Sequence, residues 1–475
     1  MYLNYFKKIC SIPHGSYNVK QLADFCQQEA KKFNLDCIRD DEDNLIITVP
    51  ASKGFESPPA VILQGHLDMV CVNAPGHVHN FKTDGLELIE DGDNLSANGT
   101  SLGGDDGIAI AYMLNLIADK TLNHPKLYLL MTTNEEVGMD GAFALDPEPL
   151  KDAKYLINID SEEEGIFTAG CAGGVTALAQ WPIKYRKARG LNCSITLENL
   201  LGGHSGSEIN RFGANAHVLL GNILYQLSKE LPINLIGLSG GDKDNVIPHR
   251  ATACVQIGTT DFGLLESKLA ELETSYRKNY QETDPNLTLT AHAYEEQEDQ
   301  VLIKDDFNKI CFILNQIPNG VITMSQKIEN LPRTSLNAGV MRLDMDTFSL
   351  GFQIRSENQQ AKEMLSDRLE QFAIYTNGTY KISGTYPSWE YNENSPFRKL
   401  MLDLYQKMYH KPAIVNVIHA GLECGLLSEK LPNIDMISIG PNMKNVHTPD
   451  ETLSLSSSES VWQFLCAVLE HLGQN

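Results

Sequence analysis

The chain has few basic residues and no long apolar run. Among its 475 residues, 38 Lys and Arg stand against 61 Asp and Glu, and the formal net charge is -23. This balance disfavours nucleic acid and anionic membrane surfaces as partners, because both attract basic proteins. No apolar segment approaches the roughly 20 residues that a membrane-spanning helix needs. We therefore expect no nucleic-acid partner and no membrane partner.

Paired cysteines are also missing. The ten cysteines include no CxxC motif and no regular spacing, and Cys254, Cys311 and Cys466 lie inside apolar segments. Free thiols in such segments behave as small hydrophobic side chains, and unpaired thiols are typical of a reducing compartment. The N-terminal segment lacks the apolar core and the cleavage site of a signal peptide. We expect a cytoplasmic protein.

Hydrophobic patterns predict an α/β fold that is interrupted by a second domain. Buried strands and an amphipathic helix are predicted at 61–64, 127–132, 155–159 and 107–118. Strands that alternate with helices favour a mostly parallel sheet with helices on both faces. Beyond about residue 185, alternating strands and amphipathic helices indicate an α+β domain. We predict a catalytic domain at 1–184 and 384–475, with an inserted lid domain at 185–383.

The strand predicted at 61–64 leads directly into Gly65, His66 and Asp68. Because His66 and Asp68 are two residues apart, their side chains project to the same side of an extended chain. A metal-binding imidazole whose ring is oriented by a carboxylate is a common pairing. A single histidine at a strand end is more often structural, so this interpretation requires partners elsewhere in the chain.

Four other segments carry acidic or imidazole side chains where predicted strands end or helices begin. Asp105 is the first of two aspartates behind a glycine-rich turn, where one would suffice as a helix N-cap. Glu135 and Glu136 follow a buried strand, where adjacent carboxylates are costly unless they are paired or bound to metal. Asp160 and His447 follow two further strands.

Together these segments predict a metal centre with the ligands His66, Asp105, Glu136, Asp160 and His447. Imidazoles and carboxylates without thiolates suit two Zn2+ ions, with Mn2+ or Co2+ as substitutes. Five ligands for two tetrahedral ions imply that one carboxylate bridges them and that water completes the site. Such a water loses its proton readily and becomes a nucleophile. A carboxylate adjacent to a ligand but free itself is then the natural general base and acid, and Glu135 is that residue.

Motifs along almost the whole chain resemble those of a known family. They lie at 10–14, 65–70, 135–142, 160–165, 170–174, 202–206, 419–425 and 447. The resemblance is to the di-zinc exopeptidases, which include aminoacylases, carnosinases and glutamate carboxypeptidases, and within them to the bacterial Xaa-His dipeptidases. It implies a homodimeric enzyme that hydrolyses the peptide bond of unblocked dipeptides, such as carnosine and a broader range.

The same resemblance implies how the ligands are shared. Asp105 would bridge the two ions, His66 and Asp160 would hold one zinc, and Glu136 and His447 would hold the other.

The resemblance also implies roles for two neighbouring carboxylates, with Asp68 orienting His66 and Glu135 acting in catalysis. The family usually has Asp-Asn where this chain has Asp105 and Asp106, which leaves either aspartate open as the bridge. The position within the motif favours Asp105.

Four candidate residues lie outside the metal-ligand motifs. His204, preceded by two glycines that permit close backbone approach, resembles a family histidine that stabilises an oxyanion. Asn245, Arg355 and His419 resemble positions that bind a substrate carboxylate or the scissile carbonyl. Arg355 could hold a carboxylate through a bidentate fork, or it could form an ordinary surface ion pair.

Two other functions remain open from the sequence. An amidohydrolase acting on N-acyl amino acids would use the same metal chemistry. A binding protein on this fold would have lost catalysis, but the presence of Glu135 together with a complete ligand set argues against it. Activity on a panel of dipeptides, with and without a chelator, distinguishes these alternatives.

Overall fold

The computed structural model describes residues 2–474, which divide into two compact units. The first unit contains the chain up to Gly170, Tyr391–Val417 and the chain from Leu422 onward, and the second contains Cys171–Glu390 and Ile418–Gly421. The predicted insertion at 185–383 falls within the second unit. This unit begins earlier than 185 because the strand Gly173–Pro182 is hydrogen-bonded into its sheet.

The described residues form helices and strands along the whole chain. The helices are α1 Tyr2–Cys10, α2 Lys20–Lys32, α3 Gly104–Ala118, α4 Asp140–Ala144, α5 Ala216–Glu230, α6 Phe262–Asn279, α7 Lys304–Gln316, α8 Gln359–Tyr375, α9 Pro396–Tyr409, α10 Glu423–Lys430 and α11 Leu455–Gln474. The strands are β1 Asp36–Arg39, β2 Leu45–Val49, β3 Ala60–His66, β4 Leu88–Asp91, β5 Asn94–Ala97, β6 Leu127–Thr132, β7 Ala153–Asn158, β8 Ile166–Cys171, β9 Gly173–Pro182, β10 Tyr185–Glu198, β11 Asn234–Gly240, β12 Ala251–Ile257, β13 Thr288–Leu302, β14 Gly320–Met324, β15 Pro332–Leu343, β16 Thr347–Ser356, β17 Thr379–Tyr386, β18 Ile414–Ile418, β19 Asp435–Ser438, β20 Met443–Lys444 and β21 Thr452–Ser454. Within this described part of the chain, no helix combines the length and the apolar character needed to cross a membrane.

The first unit is built on an eight-stranded sheet in the order β1-β2-β6-β3-β7-β19-β8-β18. Its four central strands β6, β3, β7 and β19 are parallel, which confirms the predicted α/β fold. Antiparallel pairing occurs toward the edges, where β2 pairs with β1 and β6, and β19 pairs with β8. Only five residues separate β1 from β2, and a parallel crossover needs a dozen or more. A smaller sheet has the order β20-β21-β5-β4.

The central strands owe their position to their composition. Every residue of β3 and of β6 is buried, as expected for strands covered on both faces of a parallel sheet. Helix α3 packs against β3, and α1 packs against α3. Gly107 allows that close approach, because a Cβ there would lie 3.2 Å from Cε2 of Phe6.

The second unit is an antiparallel sheet with its own apolar core. Its strands follow the order β13-β10-β12-β11-β15-β16-β9-β17, with β14 paired to β15. Helices α5, α6, α7 and α8 pack against these strands. Helix α5 begins behind Asn215, whose side chain accepts hydrogen bonds from the backbone N–H groups of His217 and Val218, a standard N-cap. The α+β character predicted from about residue 185 describes this unit.

Candidate metal centre

The metal-ligand candidates of the first unit gather at one edge of its parallel sheet. His66 is the last residue of β3, Glu135 and Glu136 begin a 3₁₀ turn three residues after β6 ends, and Asp160 lies two residues beyond β7. Since β6, β3 and β7 are neighbouring parallel strands, their carboxyl ends meet at the same edge, where open α/β sheets place their sites.

Asp105, and not Asp106, lies between the two histidines. Its Oδ1 is 3.0 Å from Nε2 of His66, and its Oδ2 is 3.2 Å from Nε2 of His447. Asp106 is fully buried and accepts a hydrogen bond of 3.2 Å from the backbone N–H of His66. Two oxygens of one carboxylate directed at two different imidazoles form an arrangement that suits a bridge between two ions.

The side chains form three overlapping groups that could each hold a metal ion. Within each group one ligand atom per residue lies within 4.8 Å of the others; the groups are His66–Asp105–Asp160, Asp105–Glu136–His447 and His66–Glu135–Glu136. The first two groups share only Asp105 and together contain all five predicted ligands. The third shows that Glu135 lies close enough to compete as a ligand, which the sequence did not indicate.

The charges of this cluster shift its pKa values strongly. Although burial alone would lower the pKa of His66, hydrogen bonds to aspartates, Asp105 first, raise it well above 6.5. Burial also opposes the protonation of His447, but Asp105 and Glu136 raise its pKa to about 11. Burial, together with the charge of Asp105, raises the pKa of Asp160 to about 8. The carboxylates thus favour protonated, positively charged imidazoles. Divalent cations bound at the same place would neutralise the carboxylates in the same way.

Asp68 contacts both His66 and the turn that carries the two glutamates. The nearer acceptor to Nδ1 of His66 is the backbone carbonyl of Asp68, at 2.9 Å, whereas the carboxylate lies at 3.5 Å. The Asp68 carboxylate also accepts hydrogen bonds from the Ser16 hydroxyl, at 2.8 Å, and from the backbone N–H groups of Glu135 and Glu136, at 3.0 and 3.4 Å. It therefore holds the turn that carries both glutamates.

Glu451 positions the loop before Asp105 and was not recognised from the sequence. Its buried carboxylate accepts hydrogen bonds from the backbone N–H groups of Leu102, Gly103 and Gly104, at 2.8, 3.2 and 2.8 Å. Gly103 has a φ of 69°, in the left-handed region that favours glycine. The signal available in the sequence was an acidic residue four positions after His447, but nothing local indicates that it contacts residue 104.

The second unit holds the remaining candidates. An added Cβ on Gly206 would lie 2.9 Å from Cε1 of His204 and 2.8 Å from the carbonyl oxygen of His419, so these two residues adjoin. Arg355 is buried and donates a hydrogen bond of 3.0 Å to the Tyr386 hydroxyl. Arg355 is therefore not in a surface ion pair.

His419 and Asn245 each make a contact that was not expected from the sequence. His419 Nε2 lies 2.7 Å from the Ser335 hydroxyl. The backbone carbonyl of Asn245 accepts a hydrogen bond from the backbone N–H of Ser205, next to His204. Burial and the charge of Arg355 lower the pKa of His204, and they lower that of His419 to about 3.

A mostly parallel α/β sheet whose strand ends present imidazoles and carboxylates suits the class of metal-dependent hydrolases. Within that class, the chain belongs to the Peptidase family M20/M25/M40, whose model matches residues 62–471. The resemblance found in the sequence motifs is confirmed, and with it an enzyme that acts on peptide bonds.

Individual relatives match nearly the whole chain. The cytosol non-specific dipeptidase of Escherichia coli (strain K12) is 36% identical over 471 residues, which are 98% of this chain and 96% of that protein. The crystal structure of aminoacylhistidine dipeptidase from Vibrio alginolyticus superposes with a TM-score of 0.90 at 33% identity, covering 99% of this chain and 96% of that one. The metallo-carboxypeptidase Sso-CP2 from Sulfolobus solfataricus, at 14% identity and a TM-score of 0.57 over 100% and 99% of the two chains, shares the fold.

Proposed function

We propose that this chain is a cytoplasmic dipeptidase that hydrolyses unblocked dipeptides with two Zn2+ ions. The observation that carries the proposal is the pair of ligand groups that meet at Asp105, one with His66 and Asp160 and the other with Glu136 and His447. The full-length similarity to two proteins named as dipeptidases supports the substrate class. Zinc is favoured because the donors are imidazoles and carboxylates.

The residues fit two cations. Asp105, Glu135, Glu136 and Asp160 bring four carboxylates within a few ångströms of two histidines, and like charges this close repel one another unless cations lie between them. In the bound state, two divalent ions would polarise the scissile carbonyl and lower the pKa of a water molecule. Asp68 and Glu451 would hold the ligand-bearing loops through their hydrogen bonds to backbone N–H groups.

Glu135 would carry the proton. Its carboxylate lies beside the ligands on a turn held by Asp68, where it can accept a proton from the attacking water and then donate it to the leaving amine. Burial raises the pKa of Glu135 well above 4.5, which makes its carboxylate a stronger proton acceptor than that of an exposed glutamate. Glu136, the neighbouring residue, remains a ligand.

The second unit would bind the substrate rather than the metal. His204 would stabilise the negative charge that develops on the carbonyl oxygen, as oxyanion donors do. Arg355 would hold the substrate carboxylate, with its guanidinium oriented by the Tyr386 hydroxyl. Asn245 and His419 would complete this site. By the resemblance described above, the enzyme would act as a homodimer.

The test is a substrate panel combined with metal analysis. We expect about two zinc ions per chain and hydrolysis of free dipeptides, including Xaa-His dipeptides, that stops with a chelator and returns when Zn2+ is added. Hydrolysis of N-acyl amino acids without hydrolysis of dipeptides would favour the amidohydrolase alternative. Metal-independent hydrolysis, or none of any substrate, would contradict the proposal.

A further inference from the structure

A layer of polar side chains lies in the core of the first unit, one step below the metal ligands. Gln64 on β3, Thr132 on β6 and Asn158 on β7 are all completely buried. Gln64 is two residues before His66, and Asn158 is two residues before Asp160. Since side chains two apart on a strand share a side, Gln64 projects to the same side of β3 as His66, while Thr132 and Asn158 are the last residues of the strands that lead to Glu136 and Asp160.

The carboxylate of Glu423 enters this layer from the first turn of α10. Its Oε2 accepts hydrogen bonds from Nε2 of Gln64 and from the hydroxyl of Thr132, both at 2.6 Å. Gln64 in turn accepts a hydrogen bond of 2.6 Å from Nδ2 of Asn158 through its own Oε1. The carboxylate therefore joins β3 and β6 directly and β7 through Gln64, and each of these strands leads toward a predicted metal ligand.

This arrangement is costly as core packing. Glu423 is fully buried, and removing a carboxylate from water costs several kcal/mol even after relaxation. Apolar side chains of similar volume in the same place are often neutral or stabilising. The layer is thus poorly explained by stability alone, whereas hydrogen bonds with defined directions can hold strand ends at fixed distances in a way that apolar contacts cannot.

We propose that Glu423 is a positioning residue for the metal centre, because its bonds to Gln64 and Thr132 set the spacing of the three strand ends that carry His66, Glu136 and Asp160. This inference rests on the metal site of the proposed function. Groups that orient metal ligands without touching the metal typically change metal affinity by about 10–100-fold when they are removed. Glu423 acts one layer further away, through the strands themselves.

The two variants Glu423→Ala and Glu423→Gln test this role. Both donors bind the same oxygen, so the amide oxygen of glutamine can accept both hydrogen bonds, and Glu423→Gln should keep the layer. Glu423→Ala removes the acceptor. We expect Glu423→Ala to lower metal affinity by about 10-fold or more, to change the visible absorption spectrum of the Co2+-loaded protein, and to lower kcat more than it changes KM. Glu423→Gln should restore all of these.

Asp435→Ala is the matched control. Asp435 also accepts two hydrogen bonds, from the Ser395 hydroxyl at 2.6 Å and the backbone N–H of Phe397 at 3.1 Å, but it lies at the amino end of β19, away from the ligand-bearing strand ends. We expect it to lower stability and to leave the Co2+ spectrum unchanged. If Glu423→Ala does not fold, Thr132→Val, which removes one donor and keeps the shape, should shift the spectrum in the same direction.

The outcomes separate this inference from the proposed function. A wild-type protein that binds no metal would contradict both. A wild-type protein that binds metal and cleaves dipeptides, with a Glu423→Ala variant of unchanged metal affinity and spectrum, would overturn only the positioning role. An unchanged Thr132→Val spectrum, where Glu423→Ala is unfolded, would overturn it equally.

Discussion

The candidate site histidines of the two units lie near opposite charges. In the first unit, His66 and His447 lie against aspartates and a glutamate, and their pKa values rise. In the second unit, burial and the nearby Arg355 lower the pKa values of His204 and His419. The cluster around His66 and His447 is therefore suited to binding cations. The histidines near Arg355 are neutral and are suited to contact with a polar or anionic group.

This contrast shows that the same side chain takes different chemical roles according to its surroundings. An imidazole that binds metal must be unprotonated when the ion arrives, and neighbouring carboxylates then contribute as ligands or orient the ring. A histidine near a buried arginine stays neutral over the physiological range and can donate one N–H. The predictions below test the contrast.

The largest expected effect is that of Asp105→Ala. The variant removes the carboxylate that faces both His66 and His447, so we expect both metal ions to be lost and activity with them. Metal content after gel filtration measures this directly. Asp106→Ala serves as the comparison, and retention of both ions in Asp105→Ala together with their loss in Asp106→Ala would assign the bridge to Asp106.

Glu135→Gln should keep the metal and lose the reaction. Glutamine cannot accept the proton, and general acid–base groups contribute about 10²–10⁴-fold to kcat. We expect a loss of that size with unchanged zinc content, whereas Glu148→Gln, on the surface of the same unit, should behave as wild type. Because Glu135 also lies within ligand distance of His66 and Glu136, a fall in zinc content would identify it as a ligand instead.

His204→Ala should affect kcat without touching the metal. An oxyanion donor contributes about 10²–10³-fold, so we expect that loss while both zinc ions remain bound to the first unit. The exposed His249 of the same unit, changed to alanine, is the control. Zinc loss in His204→Ala would remove the distinction between a metal-binding and a substrate-binding unit.

Arg355→Ala should weaken substrate binding through lost carboxylate contact. Hydrogen bonds to charged groups contribute about 1.5–3 kcal/mol, so KM for free dipeptides should rise by about 10–100-fold. Dipeptides amidated at the C-terminus have no carboxylate to lose, and their KM should change little. Arg333→Ala provides a control on the same sheet, and equal effects on both substrates would make Arg355 a structural residue.

The smallest effect is a pH dependence of stability in the second unit. Burial lowers the pKa of His217 from 6.5 to about 4, so the folded protein keeps this histidine neutral where the unfolded chain protonates it. The stabilisation is complete above pH 6.5 and is lost as the pH falls toward 4. Between pH 7 and pH 5 the loss is about 2 kcal/mol.

Denaturant unfolding at the two pH values measures this effect in wild type and in His217→Gln. The variant should lose less stability on acidification by about that amount, whatever its stability at pH 7. His292→Gln, on the exposed face of β13, should retain the wild-type pH dependence. An identical dependence in His217→Gln would show that this histidine is not kept neutral by the fold.

The elements that carry the metal centre were predictable from local patterns. The strands predicted at 61–64 and 127–132 correspond to β3 and β6, and their apolar composition with charged residues just beyond indicated a site at their carboxyl ends. All five predicted ligands come together in two groups around Asp105. Local patterns sufficed here because a parallel strand ends where its apolar run ends.

Contacts between distant segments were not predictable in the same way. Glu451 binds backbone N–H groups nearly 350 positions earlier, and Glu423 binds Gln64 and Thr132 across the sheet. The carboxylate of Asp68 holds the glutamate turn rather than His66 alone. Each of these carboxylates would be an ordinary acidic residue in an acidic chain if judged by its neighbours in sequence.

The sequence by itself determined which residue types follow the strand ends, and these predict metal chemistry rather than a nucleophilic side chain. Only the tertiary structure decided that Asp105 and not Asp106 faces both histidines, and which carboxylates hold the backbone around them. The physical reason is range. Hydrophobic periodicity acts over a few residues, whereas the direction in which a buried carboxylate points depends on hydrogen-bond donors that folding brings from distant parts of the chain.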